Sequence, residues 1–240
     1  MSKQLIVLIT GANRGLGLAL TRAYLERGDR VLATCRHLTK AAELHKLKET
    51  YRDDLLVLRA DVGLGRSVNA AAEDAGLHLP RLDVLINNAG VAPGKPDQPL
   101  AGLELAQVRD ALETNAVGAL RTVRAFLPLM LKSRQPRVVN VSSGAGSLSN
   151  NPIEAPNYAY CGSKAALNMF TRIMAREFQP QGVCIVAMTP GSVRTDMGGP
   201  GAELDADAVA GEMLASIDNL NIEQTSLFLD RHGRESEYAW

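Results

Sequence analysis

The 240-residue chain is poor in cysteine: Cys35, Cys161 and Cys184 are odd in number and far apart. That argues against a disulfide framework and suits a reducing compartment. No Cys–His spacing of the kind that holds a metal occurs. His37, His45, His78 and His232 show no metal or triad spacing and read as solvated surface. Long apolar runs are also missing. The first run spans residues 5–9; it is too short for a secretory core or a membrane span, and Gly11 ends it. The expectation is a soluble cytoplasmic protein. Net charge is missing too, because 26 basic and 26 acidic residues cancel. Such a chain has no whole-molecule attraction to nucleic acid or to an anionic membrane, so any anion site must be local. No repeat, charge block or linker interrupts residues 1–240, which read as one domain. Apolar residues make up 46%, ample for a single core.

What is present is alternation. Short apolar runs at residues 5–10, 30–34, 55–59, 82–86, 137–141, 183–188 and 226–229 read as strands. Several are continuous Val/Ile/Leu rather than alternating, the pattern of strands covered on both faces. Helical patterns lie between them, at residues 15–27, 39–51, 66–75, 103–132, 158–178 and 205–217. This order predicts right-handed crossovers and a Rossmann-like, doubly wound parallel sheet in a three-layer α/β/α domain. The loops at residues 91–99, 144–157 and 189–201 are rich in Pro, Gly and Asn and follow strands. In a parallel sheet ligands collect beyond the carboxyl ends of the strands, so these loops should surround the site.

The first strand runs directly into Gly11-Ala12-Asn13-Arg14-Gly15-Leu16-Gly17 and then a helix. Glycines allow a tight turn and close backbone approach, and a helix N-terminus offers free N–H groups to a pyrophosphate. The position between first strand and first helix gives weight to a spacing that alone could be an ordinary glycine turn. The pattern Thr-Gly-x-x-x-Gly-x-Gly is neither Gly-x-Gly-x-x-Gly nor a nucleoside-triphosphate loop. It resembles the short-chain dehydrogenase/reductases of the classical type, and the likeness runs along nearly the whole chain. By that resemblance Gly11, Asn13, Arg14, Gly15, Leu16 and Gly17 contact a dinucleotide. Asp61 and Val62, after the third strand, hold adenine. Asn87-Asn88-Ala89-Gly90 matches the family's turn after the fourth strand, which puts Asn88, Ala89 and Gly90 at the cofactor. Pro190, Gly191 and Val193 follow the sixth strand, and Thr195 reaches the nicotinamide amide.

Tyr160 and Lys164 stand four apart, on one face of a helix. A free phenol has a pKa of about 10 and is a reluctant base; a nearby ammonium would lower that value. Tyr160 can then exchange a proton with a carbonyl or alcohol oxygen. Taken alone the pair could be an exposed Tyr–Lys contact. Tyr158 lacks the lysine, since Gly162 lies four residues on. The resemblance gives Lys164 a second role, bonding the nicotinamide ribose. It assigns the oxyanion-holding serine to Ser143 rather than Ser142, because the family usually uses the second. It makes Asn115 the residue that breaks the long helix at 103–132 and holds a water near the lysine. Ser143 and Tyr160 are 17 residues apart, several more than the resemblance implies, so residues 147–157 should bulge beside the site. Cys161, beside Tyr160, reads either as a reactive thiol or, the favoured reading, as a small buried residue.

The second strand ends Cys35-Arg36-His37 with no acid between Arg30 and Leu38. A carboxylate there would select NAD; Arg36 can instead fork onto a 2′-phosphate. Arg14 is the second position where NADP-using members carry a basic residue. The expected cofactor is therefore NADP(H). The stretch from Thr189 to Gly199 looks most like the carbonyl reductases of the sniffer and C-factor group. The expected function is NADPH-dependent reduction of ketones or aldehydes, or the reverse. The partner is a small-molecule carbonyl or alcohol, with no nucleic acid or membrane, in a homodimer formed through the helices at 103–132 and 158–178. The rival reading is an NADP(H)-binding regulatory protein with little turnover. An extended-type epimerase is disfavoured by the glycine spacing and by the short stretch after Thr195.

Overall fold

The computed structural model describes residues 4–93, 99–153, 157–238 and 240. Its centre is a sheet of seven strands: β1 (Ile6–Thr10), β2 (Arg30–Cys35), β3 (Leu55–Arg59), β4 (Val84–Asn87), β5 (Arg137–Val141), β6 (Cys184–Thr189) and β7 (Phe228–Asp230). Their order is β3-β2-β1-β4-β5-β6-β7, with every neighbouring pair parallel. Successive side chains of a strand point to opposite faces, so a doubly covered sheet needs an unbroken apolar run. β1 shows the result. Val7 and Ile9 join one core with Leu20 and Tyr24 of helix α1 (Gly15–Glu26) and Met213 and Ile217 of helix α7 (Ala206–Asn219). Ile6 and Leu8 join the other, with Val68 of α3 (Gly65–His78), Phe126 of α5 (Gly118–Met130) and Met174 of α6 (Tyr158–Phe178). Each such side chain contributes about 1.5–3 kcal/mol by leaving water.

The remaining helices are α2 (Ala42–Tyr51) and α4 (Leu105–Ala111). The expected helix at 39–51 begins late because a 3₁₀ turn, Leu38–Lys40, precedes it. The expected helix at 103–132 is divided: a π-helical turn, Leu112–Val117, separates α4 from α5 and contains Asn115. The last strand starts two residues later than its apolar run because Ser226 has a left-handed φ of 69°. The direction of winding reverses between β1 and β4, and the carboxyl ends of β1, β4, β5 and β6 deliver their loops to one edge of the sheet. That crevice is where this architecture binds ligands. Among the described residues no helix is long and apolar enough to cross a membrane, and no group of three or more His, Cys, Asp or Glu could hold a metal.

Candidate active site

Two turns at the switch point are built into one another. Gly11 has a φ of +66°, and a Cβ on it would lie 2.8 Å from Ala89 Cα. A Cβ on Gly17 would lie 2.5 Å from both Asn88 Nδ2 and the Gly11 carbonyl oxygen. Asn88 Nδ2 donates to the carbonyls of Thr10 (2.9 Å) and Gly11 (3.2 Å), and the backbone N–H groups of Asn88 and Ala89 both donate to Thr10 Oγ1 at 3.0 Å. The glycines are there because the Asn88 turn occupies the space their side chains would need. The start of α1 carries no capping side chain and no acid in its first turn. Its N–H groups and positive dipole end are thus uncompensated by the protein, as an anion site requires. These residues fit a dinucleotide pyrophosphate.

The other expected cofactor residues surround that cradle. Leu16 is buried beneath it, and Asn13 Nδ2 donates to the Lys40 carbonyl at 3.3 Å. Asp61 accepts from Gly63 N at 3.0 Å, which shapes the turn after β3. Val62 packs so closely on Gly118 that a Cβ there would lie 3.0 Å away. Thr195 reaches back over the glycine loop; its Cγ2 lies 3.2 Å from the place a Gly15 Cβ would occupy. Gly191 has a φ of +80° and faces Leu204, with Pro190 half-buried beside it and Val193 buried and bridged to Leu204. Arg36 is exposed one residue past β2. Arg14 is exposed too, but Asp196 holds it at 2.8 Å, a pairing that sequence spacing did not suggest.

Tyr160 sits in the first turn of α6, where its backbone N–H donates to the capping Asn157 side chain at 3.3 Å. Lys164 follows one turn later, with Nζ 5.7 Å from the Tyr160 ring centroid. It is buried, and Nζ donates to the Val141 carbonyl at 2.8 Å. Gly90 lets the Asn88 turn approach: a Cβ there would be 3.3 Å from Asn115 Oδ1 and 3.9 Å from Lys164 Nζ. The Asn115 amide is committed. Its Oδ1 accepts from Val91 N, and its Nδ2 donates to the Val91 carbonyl and to Ser163 Oγ, each at 2.8 Å.

The two serines after β5 differ. Ser142 is buried and its Oγ donates to Asn168 Oδ1 at 2.5 Å. Ser143 Oγ accepts from Ala145 N at 3.2 Å, capping the turn Gly144–Gly146, and its hydroxyl interacts with Tyr160. Tyr158, by contrast, is 46% exposed. Part of the bulge at 147–157 lies outside the described residues. Its described part is tied to residues near the end of the chain: Ser149 Oγ donates to the Trp240 carbonyl at 3.4 Å and Asn150 Nδ2 to that of Glu237 at 3.3 Å. The Tyr238 ring lies against Gly144.

The electrostatics correct one expectation. Burial pushes the Tyr160 phenol above its ordinary value; the Ser143 hydroxyl pulls it down and Cys161 pushes it up. The net direction is upward, not the lowering expected from the Tyr–Lys spacing. Burial also brings Lys164 from 10.5 down to about 8. In this buried site the loss of solvation outweighs the hydrogen bond from Ser143. At neutral pH the phenol is therefore protonated, the state a proton donor needs.

A glycine cradle at the switch point, an uncapped helix start and loops gathered at the carboxyl ends define a dinucleotide-binding α/β domain. The chain belongs to the short chain dehydrogenase family, whose model matches residues 5–203. It is 44% identical to C-signal of Myxococcus xanthus over 155 residues, 64% of this chain and 91% of that protein. It is similar to the NADPH-bound carbonyl reductase from chicken fatty liver, with a TM-score of 0.92 and 32% identity over 99% of this chain and 100% of that one. The carbonyl reductase Sniffer of D. melanogaster matches with a TM-score of 0.91 and 32% identity over the same shares. The resemblance to sniffer seen in the loop after β6 thus extends over the whole fold, and that to C-signal over 155 residues.

Proposed function

We propose that this chain is an NADPH-dependent carbonyl reductase in which Tyr160 donates the proton. The observation that carries the reading is the placement of Tyr160 one helical turn from the buried Lys164 and beside the Ser143 hydroxyl. When bound, the nicotinamide supplies a hydride to the carbonyl carbon. Ser143 and Tyr160 hold the carbonyl oxygen by hydrogen bonds, and the Tyr160 hydroxyl gives it a proton as negative charge develops there. Lys164 Nζ keeps a positive charge beside the phenol and bonds the nicotinamide ribose. Asn115 holds Val91 and Ser163, and so fixes the walls around that lysine. Gly11, Gly15 and Gly17 with the start of α1 take the pyrophosphate. Asp61 and Val62 take the adenine, Asn88, Ala89 and Gly90 line the ribose side, and Pro190, Gly191, Val193 and Thr195 hold the nicotinamide.

The phosphate preference rests on Arg36 and Arg14. Binding a 2′-phosphate requires Arg14 to leave Asp196. An exposed pair of that kind is worth about 0.2–1 kcal/mol, less than the 1.5–3 kcal/mol of a charged hydrogen bond to a phosphate. A chicken relative solved with NADPH supports the same choice. The intact Tyr160 and Lys164 argue against a regulatory protein without turnover, which has no use for a proton donor. We also read the protein as cytoplasmic, in keeping with its free cysteines, and as a homodimer through the exposed Leu105, Met169 and Ile173 of α4 and α6. A panel of quinones, diketones and benzaldehydes assayed with NADPH tests the function. NADPH binding without reduction of any of them would refute it.

A further inference from the structure

The inner face of α6 should be apolar, since it lies on the sheet beside Leu167 and Met174. Instead it carries a polar seam of Ser163, Lys164, Asn168 and Thr171, all buried. Each is tied to a different piece of the site. Ser163 accepts from Asn115 and donates to the Tyr160 carbonyl at 2.8 Å. Lys164 donates to Val141, at the end of β5. Thr171 accepts from Asn140 of β5 at 2.8 Å and donates to the Leu167 carbonyl at 2.7 Å. Asn140 in turn accepts from Asn87 at 2.8 Å.

Asn168 does something different. Its Oδ1 accepts from Ser142 Oγ at 2.5 Å, and its Nδ2 donates to the Gly146 carbonyl at 3.3 Å. Ser142 and Gly146 flank Ser143 in the chain. One amide therefore grips both ends of the turn that presents the Ser143 hydroxyl. It does so from the helix that presents Tyr160, two turns nearer the N-terminus. The turn lies directly on that helix, since a Cβ on Gly146 would be 2.7 Å from the Lys164 carbonyl carbon. An amide buried here is unfavourable unless both its donor and its acceptor are used, and both are.

We propose that Asn168 is a positioning residue that fixes the Ser143 turn to α6 and so holds the Ser143 hydroxyl against Tyr160. The inference rests on the reading of Tyr160 as the proton donor. Displacing a reacting group by about 1 Å costs on the order of 100-fold in rate. Asn168→Leu should therefore lower kcat about 10- to 100-fold while NADPH affinity stays within about twofold of wild type. The Ser143 hydroxyl lowers the phenol's pKa. Releasing it moves the pH at which activity falls off to higher values.

The test is a double-mutant cycle of Asn168→Leu and Ser143→Ala, with kcat, NADPH affinity and the pH profile measured for each protein. If Asn168 acts through Ser143, the double variant is about as slow as Ser143→Ala alone, and both single variants shift the profile upward. Ser142→Ala cuts one of the two ties. It should give a smaller loss of the same kind, and it serves if Asn168→Leu does not fold. Tyr160 ionisation is also read without turnover, as the tyrosinate absorbance that vanishes in Tyr160→Phe; Asn168→Leu or Ser142→Ala should raise its midpoint. Multiplying losses in the cycle, or an unmoved pH profile and phenol titration, overturns the proposal. A wild type that reduces no carbonyl refutes the proposed function instead, and the phenol titration then still decides the role of Asn168.

Discussion

Lys164 should destabilise the fold it serves. In the folded chain burial brings its pKa from 10.5 to about 8. Each tenfold change in proton affinity is worth about 1.4 kcal/mol, so keeping this ammonium charged at neutral pH works against folding by about 3 kcal/mol. Lys164→Met removes that cost and keeps a long apolar stem. It also strips the Val141 carbonyl of its donor, a loss of about 1–3 kcal/mol for a buried acceptor. The balance predicts a variant between about 0 and 2 kcal/mol more stable than wild type at neutral pH, and inactive. Its advantage should depend on pH in one direction. Between about 8 and 10.5 the unfolded lysine is still protonated when the folded one is not. The unfolded state then binds more protons, so wild-type stability rises with pH across that window. Lys164→Met lacks the group, and the gap closes as pH rises. Urea unfolding of both proteins at neutral pH and at two points in the window measures this. A wild type more stable than the variant by over about 1 kcal/mol at neutral pH, or a gap indifferent to pH, would show that burying this ammonium carries no such cost.

Other outcomes follow from the same site. Tyr160→Phe should bind NADPH normally and lose about 100-fold or more in kcat, whereas Tyr158→Phe, on an exposed side chain, should be near neutral; a Tyr160→Phe rate above about a tenth of wild type removes the proton-donor assignment. Arg36→Asp should weaken NADPH by roughly 10- to 150-fold and leave NADH nearly unchanged; parallel loss of both cofactors would show that Arg36 does not read the phosphate. Gly17→Ala drives a methyl into Asn88 Nδ2 and the Gly11 carbonyl. It should cost about 1–3 kcal/mol and weaken both cofactors; wild-type melting and affinity would mean that the two turns can separate freely.

The architecture was legible because it is written in repeated signals. Continuous apolar runs such as Leu5–Ile9, short and bounded by turn residues, read as strands buried on both faces, and helical stretches between them imply parallel order. The glycine loop was legible because a left-handed Gly11 and a contact-limited Gly17 leave few other residues possible. What stayed hidden is set by contacts far apart in sequence. Asp196 meets Arg14 across 182 residues. Tyr238 meets Gly144 through the path of the chain after β7. The direction of the Tyr160 shift depends on burial, which a four-residue spacing does not report. The Asn168 seam did leave a trace. Ser163, Lys164, Asn168 and Thr171 interrupt what helical periodicity marks as the sheet-facing side of α6, and a polar residue on a buried face is a question that spacing alone can raise.

Whether Tyr160 is the proton donor of an NADPH-dependent reductase is decided by one comparison: consumption of NADPH, and of NADH, by wild type and Tyr160→Phe across a panel of small apolar and aromatic carbonyls. Wild type should reduce these carbonyls with a clear preference for NADPH, and the variant should lose nearly all turnover with NADPH binding intact. Turnover that survives in Tyr160→Phe, equal use of NADH, or NADPH binding with no carbonyl reduced would contradict that assignment.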